Sequence, residues 1–358
     1  MRNLKYMVIG GFAAVLSFSS CSDFLDVNPK GTLSDAQLTT LEMAEKMVIA
    51  AYALVENDNR NQAPWFWGDL KGGDAYKGGG GVSDQAWAHS IEIAATVRVN
   101  EGQINNKWIR TYVAISRANN ALMRINALSE SEYPKKNVRA AEMRFLRAHH
   151  SFEIKRVFKH IVWADENIAA DEYVNVSNRQ YTDAELWGKI IEDFRYAVDN
   201  LPENNVDVGR ANKYSAKAYL AKALIYSAYE QDEKNNVVNI NKTKLEEVVK
   251  LVDEIGARYS LAPDFAQNFL WEYENGPESI FAIQSSFDDG TEYGRVNQYS
   301  ALSYPMSAEY GCCGMHLPSQ QLVNSFKTDA LSGLPLFDTY DKLGEEIKNG
   351  NESQFRSI

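Results

Sequence analysis

Five apolar stripes, each stepping by three or four residues, and one alanine-rich run restrict the fold of this chain more than any other feature. Leu41, Ala44, Val48, Ala51 and Val55 form the first, and Trp108, Tyr112, Ile115, Asn119 and Leu122 the second. Ala141, Phe145, Ala148 and Phe152 follow, then Leu186, Ile190, Phe194 and Ala197. Residues 211 to 229 are rich in alanine, interleaved with Tyr214, Tyr219, Tyr226 and Tyr229; Leu245, Val248, Val252 and Ile255 make the last stripe. This spacing puts each set on one face of an α-helix, and that face needs a partner to bury it. Small residues let helix backbones approach, while tyrosines fill the grooves between them. Successive helix pairs recur at roughly tetratricopeptide length, about 34 residues. The expectation is therefore stacked antiparallel helix pairs.

Local signals set the boundaries. Ser34-x-x-Gln37 and Thr182-x-x-Glu185 read as capping boxes, and the first helix should run on to about Glu56. Pro134 suits the first position of a helix, Leu201-Pro202 stops one, and Asn241 to Ala257 reads as another. Beyond Gly256, Ser279 to Ser285 is a β-type run before the turn signal Asp288-Asp-Gly290. Leu317 to Phe326 reads as a short capped helix.

Residues 1–20 are a secretory signal peptide: Arg2 and Lys5, a mostly apolar run from Tyr6 to Phe18, then Ser19 and Ser20. The run falls short of the about 20 apolar residues that span a bilayer. The cysteine that follows makes the cleavage site a lipobox, so Cys21 would carry lipid and residues 21–33 would be a tether. An ordinary secreted protein with a free Cys21 thiol is the other reading. Formal charge is −11, two units more negative once Arg2 and Lys5 are removed. Such an acidic body suits neither nucleic acid nor direct docking on anionic lipid, so the lipid would have to hold it at a membrane. With Cys21 lipidated, only Cys312 and Cys313 remain, either a strained vicinal disulfide or two small buried thiols.

Two segments resist the helical reading. Residues 57–100 hold Trp65, Trp67, Tyr76 and Trp87 among Gly72, Gly73 and the run Gly78 to Gly81, and residues 285–316 are rich in tyrosine. Long loops of this kind are functional or disordered, and three tryptophans argue against disorder. Catalytic and metal patterns are lacking. His149 and His150 are adjacent, about 100° apart on a helix, and cannot ligate like an i, i+4 pair. The glycine run lacks the order of a phosphate loop, and Asp288 to Glu292 is too short for a calcium loop. No GxSxG, HExxH or Cys/His pairing is present, and no cofactor is expected. Arg139, Arg144 and Arg147 read as structural partners of carboxylates on neighbouring helices, and Glu246 and Glu247 as solvated.

Several segments, taken in order, resemble the SusD/RagB-like nutrient-binding lipoproteins of Bacteroidetes outer membranes. They are Cys21-Ser-Asp-Phe-Leu-Asp-Val-Asn-Pro29, the helix from Trp108 to Asn120, and Arg139-Ala-Ala-Glu-Met-Arg-Phe-Leu-Arg-Ala-His-His-Ser-Phe152. Gly209 to Leu220, Ser279 to Gln284 and Pro318 to Phe326 complete the pattern. Family members usually continue through a "DPR" segment that is missing here. The resemblance implies a mostly α, tetratricopeptide-like superhelix over residues 34–358, with a few short strands. Residues 57–100 and 285–316 would then form a loop-rich ligand face. It further implies a non-catalytic, lipid-anchored protein at the surface of the outer membrane, which captures glycan or another nutrient for a TonB-dependent, SusC-like β-barrel transporter.

Sugars present C–H faces to aromatic rings and hydroxyls to short polar side chains. Candidate ligand residues are thus Trp65, Trp67, Asp74, Tyr76 and Trp87 in one loop, and Tyr293, Arg295, Asn297, Tyr299 and Tyr304 in the other. The competing reading is that these aromatics anchor the loops to the helical body. A tethered glycan hydrolase, or a scaffold binding only a protein partner, are the alternative functions.

Overall fold

A computed structural model describes residues 35–55, 64–94, 97–98, 102–168, 172–205, 207–284 and 314–337. The signal peptide, Cys21 and its tether, Ser34, Cys312, Cys313 and the candidates Tyr293, Arg295, Asn297, Tyr299 and Tyr304 lie outside the described residues.

The body is a succession of helices: α1 (Asp35–Leu38), α2 (Leu41–Tyr52), two short turns α3 (Pro64–Trp67) and α4 (Asp69–Gly72), and α5 (Ala86–Glu92). The long helices α6 (Gly102–Ala127), α7 (Lys136–Val157), α8 (Asp183–Asn200), α9 (Lys213–Ala228) and α10 (Lys242–Gly256) follow, and α11 (Gln320–Ser325) comes last. Neighbours in sequence pack as neighbours in space: α2 on α6, α6 on α7, α7 on α8, α8 on α9 and α9 on α10. Strands are few: β1 (Ala75–Gly78), β2 (Tyr229–Gln231), β3 (Val237–Ile240) and β4 (Met315–Pro318). They form two antiparallel pairs, β1 with β4 and β2 with β3.

The stripes explain the packing. Ala141, Phe145, Ala148 and Phe152 of α7 and Leu186, Ile190, Phe194 and Ala197 of α8 are fully buried. Phe145 is the centre of an aromatic cluster, with edge-on rings at 5.8 Å (Phe194), 5.4 Å (Tyr219) and 5.3 Å (Phe281). Capping fixes the helix ends. Thr182 and Glu185 form the expected box on α8, and Asn212 with Ser215 builds a second on α9.

Some expectations are corrected. The first helix is broken: Thr40 caps α2 by accepting from the Met43 amide, so Leu41 sits in a first turn and is exposed. Pro134 lies in the turn before α7, one residue ahead of the N-cap Lys135. On α10 the inward face is Val248, Leu251 and Ile255, and Val252 is exposed. Ser279 to Gln284 forms no strand. Phe281 instead packs against the helical core. Leu317 and Pro318 belong to β4, and α11 starts behind the Ser319 cap. Glu247 is more than a solvated carboxylate: both its oxygens take the Arg195 fork, at 2.6 and 2.7 Å.

The three arginines of α7 do pair with carboxylates of other elements. Arg147, 3% exposed, donates to Asp193 at 2.6 and 2.9 Å, to Asn119 at 3.1 Å, and to Glu166. Burial works against its charge, but Asp193 and Glu166 more than offset this and hold the guanidinium above its usual range. Arg144 reaches the same Asp193 at 2.5 Å. Arg139 bridges Glu45 of α2 at 3.0 Å and the fully buried Glu142, which Arg210 meets from the other side at 3.1 Å.

Candidate functional site

Apart from the main core, a second small one gathers Phe66, Leu70, Ala75 and Ala88, with Trp67, Trp87 and Met315 packed against it. It joins α3, α4, β1 and α5 to β4, far along the chain. Local sequence explains the turns. Gly73 ends α4 at φ +84, a left-handed conformation open to glycine. Tyr76 then lies opposite Leu317, and Gly78 opposite Met315. A Cβ on Gly78 would come within 2.3 Å of the Gly314 carbonyl oxygen, so only glycine permits this pairing.

Backbone strain collects here. Non-glycine residues with left-handed φ include Gln85 (+50°), Ala94 (+50°) and His316 (+56°), all in or beside this patch. Residues held in sparse backbone regions cluster at ligand clamps and active sites. Side-chain contacts hold these positions: Gln85 Nε2 approaches Met315 Sδ at 3.3 Å, and His316 Nε2 lies 2.6 Å from Asp69 Oδ2.

Of the candidate ligand residues, Trp67 and Trp87 pack against this small core, and Tyr76 stands on the adjoining strand β1. Trp87 is half-buried with its ring 4.4 Å from that of Phe66, tilted by 59°. Trp67 is also half-buried, and its indole Nε1 has no hydrogen-bond partner among the described residues. Tyr76 is half-buried on the face of β1 opposite Ala75 and Lys77. Asp74 is exposed at the edge, and its carbonyl accepts from the Ser319 amide at 2.8 Å. Trp65 lies in α3, its side chain outside the described residues. Trp67 and Trp87 thus both pack against the small core, as the anchoring reading expects, and neither is fully buried.

Sequence reasoning missed Asp69, Lys77, Gln85 and His316. Lys77 stood beside a conspicuous glycine run, a signal that a backbone hinge needed a clasp. His316 carried no local signal, because its partner is 247 residues away in the chain.

Two further hollows lie elsewhere. One of about 250 Å³ is lined by Trp108, Tyr112, Ile115, Asn119, Val162 and Tyr173. There the buried Tyr112 hydroxyl donates to the Val162 carbonyl (2.9 Å) and accepts from its amide (2.7 Å), which serves the packing of α6. The other, about 640 Å³, is a ledge with Phe269, Trp271, Tyr273, Asn275 and Gln284, on which Trp271 is 81% exposed. Among the described residues no group of three or more His, Cys, Asp or Glu could hold a metal ion. None of the described helices is long and apolar enough to cross a membrane.

Comparison with known proteins finds relatives in both sequence and fold. Residues 23–226 match a SusD-like family model described as "Starch-binding associating with outer membrane". A SusD-like protein of Bacteroides ovatus is 26% identical over 289 residues, covering 78% of this chain and 49% of that protein. Among solved structures, surface glycan-binding protein A from Bacteroides thetaiotaomicron in complex with laminarihexaose aligns with a TM-score of 0.56 at 19% identity, over 69% of this chain and 50% of its own. A structure with xylogluco-oligosaccharide aligns with a TM-score of 0.61 at 21% identity, over 79% and 54%. The chain spans about half the length of the curated relatives it matches.

Proposed function

The chain belongs to the SusD-like family, and from that premise we propose that it is a non-catalytic surface protein that captures an oligosaccharide. The patch of Trp67 and Trp87, packed on the small core beside Ala75 of β1 and Met315 of β4, carries this reading. Partly exposed indoles would offer flat apolar faces to the C–H face of a pyranose, and the exposed Asp74 and the Asp69–His316 pair, on the turns and strand around the same small core, would take its hydroxyls. The ribbon and its strained turns fix these groups before ligand arrives, which spares the ordering cost of binding. Support comes also from structural neighbours solved with laminarihexaose and with xylogluco-oligosaccharide.

The reading extends to the cell surface. Lipid on Cys21 tethers the protein to the outer membrane, and the captured glycan passes to a SusC-like, TonB-dependent transporter. The signal peptide and lipobox support the anchor. Two experiments test the proposal. Purified protein is titrated with a glycan panel that includes laminarihexaose, followed by tryptophan fluorescence and by release of reducing ends. Quenching with no release is expected; released reducing ends would replace capture by hydrolysis. In cells, Cys21→Ala should free the protein from the membrane and lose it from affinity-purified transporter, while the purified variant keeps its glycan affinity.

A further inference from the structure

We infer that Lys77 is the positioning residue of the ligand patch, holding both ends of the helix that presents Trp87; the inference rests on the glycan-capture reading. Lys77 is 3% exposed. No carboxylate pairs with its ammonium among the described residues, an unusual state for a buried cation. Its Nζ donates instead to the carbonyl oxygens of Gly78 and Gly81, both at 2.7 Å. The side chain thereby closes the glycine loop over itself.

That loop needs a clasp. Gly78, Gly79 and Gly81 have φ of +68, +74 and +114, and glycine loses more freedom on ordering than any other residue. From the clasp, order passes forward. The Gly81 carbonyl also accepts from the Asp84 amide at 3.1 Å, and the Asp84 carboxylate takes the Gly80 amide at 2.9 Å. Gln85, the N-cap of α5, comes next, and Trp87 is the second residue of that helix. At the other end of α5, Glu92 accepts from the Lys77 amide at 3.3 Å and meets His89 Nδ1 at 3.1 Å. A third tie runs to the other side of the patch, where the Gly79 amide donates to the Gly314 carbonyl at 2.8 Å. The Lys77 side chain thus sets the start of α5, its own amide ties the end of that helix, and the Gly79 amide in the same closed loop ties it to β4. Lys77 touches no ligand in this scheme; it acts through Trp87.

The test compares wild type with Lys77→Met, which keeps the bulk and removes the donors, and with Trp87→Ala. Affinities for laminarihexaose and a xylogluco-oligosaccharide are measured calorimetrically, well below the melting temperature, alongside amide exchange. Lys77→Met is expected to bind at least tenfold more weakly, with faster exchange across 78–92 and unchanged exchange in α7 and α8. A residue that only stabilised the fold would lower the melting temperature and leave the affinity of folded protein alone. Should Lys77→Met fail to fold, Asp84→Ala breaks the next link, and the same loss is expected. If Trp87→Ala loses binding while Lys77→Met, or in its place Asp84→Ala, binds as wild type, the positioning role is overturned and the ligand patch stands. If Trp87→Ala binds as wild type, or the wild type binds neither probe, the patch falls and this inference with it.

Discussion

Arg147 reaches three separate parts of the chain through one guanidinium: Asp193 on α8, Asn119 on α6 and Glu166 in the segment between α7 and α8. Removing it leaves the buried Asp193 carboxylate to Arg144, and breaking such a buried pair costs up to about 3–5 kcal/mol. Arg147→Met should lose that much in urea denaturation. Adding Asp193→Leu should restore much of it, because Arg144 and Glu166 are partly exposed and can turn to water. The role of these arginines was legible in sequence, since charged residues among core positions need partners; the partners' identities were not.

His149 and His150 pose the opposite case. Both are buried, and His149 Nδ1 and His150 Nε2 have no hydrogen-bond partner among the described residues. Burial is the first cause that pushes both imidazoles below their usual range, His150 further, with Lys107 adding at both, His149 adding at His150, and Glu153 opposing at His149. The folded state therefore holds them neutral, while the unfolded chain takes up protons below about pH 6.5. Their contribution is complete above that pH and is lost as pH falls, by at most about 1.4 kcal/mol per pH unit for each ring. Urea midpoints at pH 7.5, 6.5 and 5.5 should fall in that order, and His150→Leu should flatten the slope. Equal slopes in both proteins would contradict this origin.

At the scale of elements, the helices were readable because their signals are local: a period of three and four, bounded by caps. The box of Thr182 and Glu185 is a case, and Thr182→Ala should cost about 1 kcal/mol, read as a lower denaturation midpoint. The break at Thr40 was not readable, because Ser34-x-x-Gln37 read as the cap of the helix that carries the stripe from Leu41. The β1–β4 ribbon gave no signal at all. Its strands are four residues each, one ending in Gly78 and the other in Pro318, and about two-thirds of the chain apart, so only tertiary packing defines their register. The run from Ser279 had strand composition yet finds no partner strand, and its Phe281 is spent on the core. Gly78→Ala tests the ribbon directly. With no room beside the Gly314 carbonyl, the pairing should open, and amides of 315–318 should exchange faster while the long helices keep their protection.

For the whole molecule, family membership was legible where motif and architecture coincide. The arginine-rich motif of α7 builds both the aromatic core and the polar lattice, so its residues are fixed by folding rather than by ligand. The ligand face offers no such anchor, since any exposed aromatic can stack on a sugar and loop geometry decides which do. Amide exchange of the full chain with and without saturating laminarihexaose addresses the central claim most directly. Protection confined to 64–92 and 314–318, and abolished by Trp87→Ala, is the expected result. Protection at the hollow beside Trp108 or on the Trp271 ledge, with none on the β1–β4 patch, would contradict it.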